Sequence, residues 1–243
     1  MAADDFQGAA DALLAKSLGV KSVFILNDKE AYGQGVASNF RNAAKKLGIK
    51  IAQFTAWDGK ASSYEALAVK IKSSGAQGVF LGGLICENGG KLIKDIRSGA
   101  PNVHVIAPDG FTPISAVVQG AGTDANGMTV SVAGLPVEKL PPAGKKFAST
   151  FGKQIHKVPD PYAVYGGQAA EAIVQAIAAS NGSRSDVTAQ LFKIKLTNSI
   201  LGNVSFNKNG DVTANPVTIY LVKAGKSTTL KVIVPPASLV KIA

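Results

Sequence analysis

SVFILNDKEAYGQGVASNF, residues 22–40, joins an apolar run to an amphipathic segment through a polar loop. The run at 22–26 is rich in β-branched and aromatic residues and reads as a strand. Beyond the loop, Val36, Phe40, Ala43 and Leu47 recur at helical spacing, and Gly48 ends the pattern as a C-terminal glycine should. Strand, loop and helix in this order make the first half of a βαβ unit. The same rhythm continues to residue 134, with strand candidates at 22–26, 49–56, 78–81, 104–107 and 128–132. Between them, Ser62, Ser63, Tyr64 and Glu65 form an S-x-x-E capping box, after which Tyr64, Leu67, Ala68 and Ile71 share one face. A third helix is predicted over 88–98. Strands and helices alternating at this length imply right-handed crossovers and an α/β fold, a parallel sheet with helices on both faces. Ligands of such sheets gather beyond the carboxyl ends of the strands. Three loops therefore share one rim: 27–35, 82–90 and 108–112.

After Gly134 the character changes. LPVEKLPPAG is a Pro-rich connector, and 143–156, 161–180 and 185–196 read as three helices with no strand between them. The middle one carries Ala163, Gly167, Ala170, Ile173, Val174 and Ile177, an apolar surface broad enough to need partners on more than one side. The tail returns to β patterns, with a turn at Asn209 and Gly210, and VTIYLV and LKVIV flanking Ala224 and Gly225.

Composition narrows the function classes. The chain has 243 residues, 46% of them hydrophobic, enough to bury one large α/β core or two small ones. No apolar run nears the roughly 18 residues of a membrane span. The start, MAADDFQG, lacks the basic and apolar regions of a secretory signal, so the expectation is either an internal protein or a signal lying outside this sequence. Cys86 stands alone, which excludes an intrachain disulfide, and His104 and His156 have no ligand cluster at zinc spacing; no metal and no cofactor are expected. The net charge of +10 comes almost wholly from lysine, with arginine only at 41, 97 and 184. No basic run is interleaved with aromatics, so the charge reads as solvated helix faces and nucleic acid is not an expected partner.

Gly33, Gly35 and Ser38 approach a dinucleotide fingerprint, G-x-G-x-x-S, with Asp58 closing the next strand. Five residues separate Asn27 from the first glycine, however, and Ser38 replaces the third glycine. No nucleophile elbow, P-loop or H-E-x-x-H occurs, and no catalytic residues are assigned. What remains on the rim is a recognition kit. Tyr32 supplies a ring face and a hydroxyl, or packs against its own loop; Asp109 holds a cationic group, or serves the turn before Gly110. Gly82 and Gly83 let backbone approach a ligand closely.

The ordered set DDFQGAADAL, D-x-x-x-Y-G-x-G at 28–35, VFLGG at 79–83, APDGF at 107–111, AGTDANGM at 121–128 and LGNVSFNKNGD at 201–211 resembles the type I periplasmic solute-binding proteins of the LivJ-like, branched-chain amino acid group. The resemblance implies a Rossmann-like, flavodoxin-like fold. It implies a noncatalytic role, in which two lobes close on a small ligand, an amino acid or related acid, and deliver it to an ABC permease. It places the protein in the periplasm or outside the cell, lipid-anchored or secreted. Tyr32 falls where the family sets an aromatic ring against the ligand, and Asp109 where amino-acid binders set an acid against the ligand ammonium. Leu84 or Ile85 replaces the aromatic that often follows the G-G pair, which leaves other zwitterionic or aromatic ligands open. With Gly83 and Phe111 these complete the candidate ligand-binding set. Against the family pattern, 1–134 and 200–243 correspond to the second lobe and 135–199 to helices of an incomplete first lobe. Helices 142–196 are then expected to drive a homodimer or domain swap. The alternatives are an independent nucleotide-binding α/β domain of an enzyme, or an engineered scaffold with no ligand.

Overall fold

In the computed structural model, which describes residues 1–240, the chain forms in order α1 (Asp4–Ser17), β1 (Ser22–Asn27), α2 (Ala31–Lys46), β2 (Lys50–Ala56), α3 (Glu65–Ser73), β3 (Gly78–Gly82), α4 (Gly89–Gly99), β4 (His104–Ala107), α5 (Ile114–Ala121) and β5 (Thr129–Val132). Then come α6 (Pro142–Ile155), α7 (Ala163–Ala178), α8 (Arg184–Lys193), β6 (Lys195–Ser199), β7 (Gly202–Ser205), β8 (Val217–Lys223), β9 (Lys226–Ile233) and the short α9 (Ala237–Val240). Contacts divide the chain into two compact units. The larger runs from Asp4 to Ala133 and resumes at Val217; the smaller comprises Met1–Ala3 and Gly134–Pro216.

The larger unit is built on a seven-stranded sheet of order β2-β1-β3-β4-β5-β8-β9. Its first five strands are parallel, as the alternating rhythm requires. Central β1 and β3 are buried along nearly their whole length, the state that their uninterrupted apolar runs demand. On one face, Phe24, Leu26, Val79 and Leu81 pack with Ile71, Leu92, Ile93 and Ile96 from α3 and α4. On the other, α1 and α2 pack together, and Phe40 of α2 stacks on Phe80 of β3 with ring centroids 4.1 Å apart. Each such side chain contributes about 1.5–3 kcal/mol by burial. The sheet departs from all-parallel at its far side, where β8 joins β5 antiparallel and β9 joins β8. Ala224 and Gly225, at φ 50° and 73°, form the two-residue turn between β8 and β9, and so short a loop can join only antiparallel neighbours.

One local expectation changes in the larger unit. The capping box at 62–65 does not form: α3 starts at Glu65, so that residue opens the helix rather than reaching back from its fourth position. Tyr64 is the residue before the first helical turn instead, and its N–H donates to Asp95 Oδ2 at 2.7 Å, while Lys91 Nζ holds the other carboxylate oxygen. A carboxylate on α4 thus serves that N–H and docks α3 on α4 at once.

In the smaller unit α6, α7 and α8 follow without intervening strands. The predicted helix at 185–196 ends earlier, at Lys193, because Lys195 and Leu196 pair with Ser205 and Val204 in the two-stranded β6–β7 ribbon. The boundary also differs from the expected one at 200. Leu201, Val204, Phe206 and Val212 pack with Ala172 of α7 and Leu196, so residues 200–216 belong with the smaller unit.

Candidate functional site

Beyond the carboxyl ends of β1, β3 and β4, three loops of the larger unit are tied to one another. Asn27 closes β1; its Nδ2 donates to Thr55 O at 3.0 Å and its Oδ1 accepts from Lys29 N at 3.1 Å, with Lys29 in the left-handed region at φ 71°. Asp28, 4% exposed, accepts from Glu30 N at Oδ1 (3.0 Å) and from Leu84 N at Oδ2 (2.9 Å). One carboxylate therefore joins the start of α2 to the loop after β3. Burial pushes its pKa up, while the two N–H donors pull the other way. A Cβ on Gly33 or on Gly83 would run into this carboxylate, and on Gly83 also into the Trp57 ring. The glycines allow that approach.

Tyr32, on the first turn of α2, reaches across to the third loop. Its hydroxyl donates to Asp109 Oδ1 at 2.5 Å and accepts from Gly110 N at 3.3 Å. Burial, followed by the Asp109 charge and its hydrogen bond, pushes the phenol pKa strongly up, so Tyr32 stays a proton donor. Ile85 N donates to Gly110 O at 2.9 Å, and a Cβ on Gly110 would meet Gly83 O and the Tyr32 ring. Asp4, at the start of α1, has its pKa raised by partial burial and then by the Asp109 charge. The rim is thus a wall with an aromatic face, a phenol, a carboxylate and negative potential, suited to a ligand with a cationic group.

The structure brings Tyr32, Asp109 and Gly83 together. The Tyr32 hydroxyl pairs across the loops with Asp109, and Asp109 serves both the turn and the pair, since its carbonyl accepts from Thr112 N at 2.9 Å. Leu84 and Ile85 are half-buried, and Ile85 packs against the core. Phe111 does not belong with the rest: it is fully buried, because the single 3₁₀ turn Asp109–Phe111 places its ring in the core against Gly89 and Ile85. Gly82 and Gly83 also differ from expectation, since the space where their side chains would be holds Ala37, Asp28 and Trp57 rather than lying open to a ligand. Sequence reasoning left Asp28 and Trp57 without a role. Asp28 had a signal, the Asx-turn spacing to Glu30 before the helix. Trp57 had only its place at the end of β2; it is 2% exposed, and its Nε1 donates to Glu87 O at 2.8 Å.

The fingerprint reading loses its geometry. The helix begins at Ala31, so Gly33 and Gly35 lie inside it, and the N–H of Glu30 is taken by Asp28, a carboxylate where a phosphate would have to sit. Asp58 is exposed and paired with Lys29 at 3.5 Å. Its pKa is lowered, first by the Lys60 N–H and then by Lys29. Among the described residues no group of three His, Cys, Asp or Glu could hold a metal, and no helix is long and apolar enough to cross a membrane. A separate groove of about 450 Å³ lies in the smaller unit, between Tyr162, Tyr165 and Gln168 on one side and Leu201, Val204 and Phe206 on the other.

The family model described as periplasmic binding protein matches residues 1–227, and the chain belongs to that family. It is 26% identical over 219 residues to an amino acid binding protein of Pseudomonas aeruginosa, covering 89% of this chain and 58% of that one. It is 29% identical over 227 residues to the Leu/Ile/Val-binding protein BraC3 of Rhizobium johnstonii, covering 92% and 60%. The chain therefore spans about three-fifths of the length of these relatives. Among solved structures, the leucine binding protein LivK of Thermotoga maritima superposes with a TM-score of 0.86 at 23% identity, over 96% of this chain and 66% of that one. A solute binding protein of R. palustris in complex with benzoate gives a TM-score of 0.79 at 18% identity, over 96% and 64%. At these identities the structures establish the fold.

Proposed function

We propose that this chain is part of the extracytoplasmic solute-binding component of an ABC transporter, working without catalysis and handing its ligand to a membrane permease. The ligand is an amino acid or a related small acid, held against the rim of the larger unit. One observation carries the reading: Tyr32 and Asp109, 77 residues apart in sequence, meet at the strand ends of a sheet that Gly83 and Asp28 bring into contact behind them. Asp109 supplies the charge for a ligand ammonium, and Tyr32 the ring and the hydroxyl. The larger unit is then the second lobe of the clamshell, and the smaller one contributes to the first. The exposed residues Ile173, Val174 and Ile177 of α7 support a smaller unit whose apolar surface is covered by further protein, including a second copy through 142–196.

Calorimetric titration with leucine, isoleucine, valine, alanine and benzoate tests the reading. Saturable binding of one of the amino acids is expected, with Asp109→Asn weakening it about 10- to 100-fold through loss of a charge-assisted hydrogen bond. The internal pairing of Tyr32 with Asp109 favours a second reading, a scaffold whose rim is satisfied by its own side chains. Absence of binding across the panel, with Tyr32→Phe destabilising the fold, would select it.

A further inference from the structure

Asp28 is a buried charged group at the rim to which the ligand reading gives no contact with the ligand itself. Its carboxylate lies between Gly33 of α2 and Gly83 of the loop after β3, both of which lack the Cβ that would displace it. Its oxygens accept one N–H from each segment: Glu30, two residues before Tyr32, and Leu84, the first side chain after the glycine pair. Its own N–H donates to Gly82 O at 3.2 Å, closing the link to the end of β3. Glu30 is the residue that precedes α2 and opens its first turn, and 83–88 is the loop between β3 and α4, so the carboxylate links a helix start to a loop rather than two strands of a ladder. A neutral side chain of this size could not accept both N–H groups on two separate oxygens.

We propose that Asp28 is a positioning residue, whose carboxylate locks the α2 start bearing Tyr32 and the loop bearing Gly83, Leu84 and Ile85 into one register and so fixes the ligand-facing wall. The proposal rests on the rim's being the ligand site, but its core claim, the coupling of the two segments, holds or fails without any ligand. Glu30 is the charged side chain whose field bears on Asp28.

The experiment is an amide NMR titration of the full chain from pH 7 downward. Protonating Asp28 should move the Glu30 and Leu84 amide signals with one shared midpoint, above that of an ordinary aspartate. Separate midpoints, or no movement at either amide, would overturn the proposal. In Asp28→Asn, hydrogen exchange at Glu30 and Leu84 should accelerate together by about tenfold or more while α1 amides keep their protection. Fluorescence of Trp57, the only tryptophan, should change with it. Acceleration at one segment alone would again refute the coupling. L-leucine titration of the wild type reports separately on the function: a wild type that binds, beside an Asp28→Asn protein that binds as tightly despite loosened segments, defeats the positioning role. A wild type that binds neither L-leucine nor any other member of the panel above defeats the ligand reading and leaves the coupling to be decided by the amides.

Discussion

Helices α1 and α7 are both rich in alanine, and they end in opposite states. In α1, Gln7 to Ala12, Leu14 and Ala15 are buried, including the two polar residues Gln7 and Asp11. In α7, four residues are buried and Ile173, Val174 and Ile177 stand 46%, 64% and 52% exposed. The difference does not lie in helix propensity, which is high in both. It lies in what each helix meets: α1 packs on α2 and on the sheet, whereas α7 meets α6, α8, the connector at Leu135 and Leu140, and the short β-ribbon cluster, with no sheet face beneath it among the described residues. An apolar stripe states a need for a partner; it does not supply one.

The largest expected effect separates the two helices directly. Leu14→Ala, at a fully buried position, should cost about 2–5 kcal/mol in urea unfolding, while Ile177→Ala should stay within about 0.5 kcal/mol. A comparable loss at Ile177 would mean that its face is covered in solution. Glycine gives a contrast of sign. At Gly8 a Cβ would lie 2.6 Å from Phe40 N, and backbone there cannot step aside; Gly8→Ala should destabilise by about 1–3 kcal/mol. At Gly166 of α7 nothing lies within 4 Å, and Gly166→Ala should stabilise by about 0.5–1 kcal/mol. Equal signs at the two positions would break the comparison.

The smallest effect concerns Asp11. It is completely buried, accepts from Ser131 Oγ at 3.0 Å through Oδ2, and has no partner for Oδ1; Gln7 Nε2 reaches the same serine at 3.0 Å. Burial raises its pKa well above the usual value, the Ser131 hydrogen bond lowers it, and the Asp109 charge adds to the rise. The folded state then binds a proton that the unfolded chain has released. Its stabilising contribution is full below the unfolded-state pKa of about 3.9 and is lost as pH rises toward the folded value. Asp11→Asn should remove that decline. Urea unfolding from pH 4 to pH 8 measures it, and a constant difference between the two proteins would count against a protonated Asp11.

Much of the larger unit was legible because it is written in local patterns. The runs at 22–26 and 78–81 announce buried strands, 104–107 coincides with β4, and Ala224-Gly225 marks the β8–β9 turn. The rim loops followed from strand polarity, and with them Tyr32 and Asp109. The rest was hidden for one reason: it rests on pairs distant in sequence. Asp28 meets Leu84 across 56 residues, and Tyr64 finds Asp95 across 31. Phe111 looked like a rim aromatic because APDGF shows no preference for which of its side chains turns inward.

By itself, then, the sequence determined the α/β alternation, the five parallel strands and the helices α2, α3 and α4 to within a few residues, and the end of the sheet where a ligand would gather, while α1, α5 and β6 were not placed by it. These follow from hydrophobic period and turn chemistry, which act within a dozen residues. Tertiary structure alone decided the antiparallel docking of β8 on β5, the assignment of 200–216 to the smaller unit, the withdrawal of Phe111 and the clasp at Asp28. Each of these is a choice of partner, and a partner's position becomes defined only when the chain has closed its long loops.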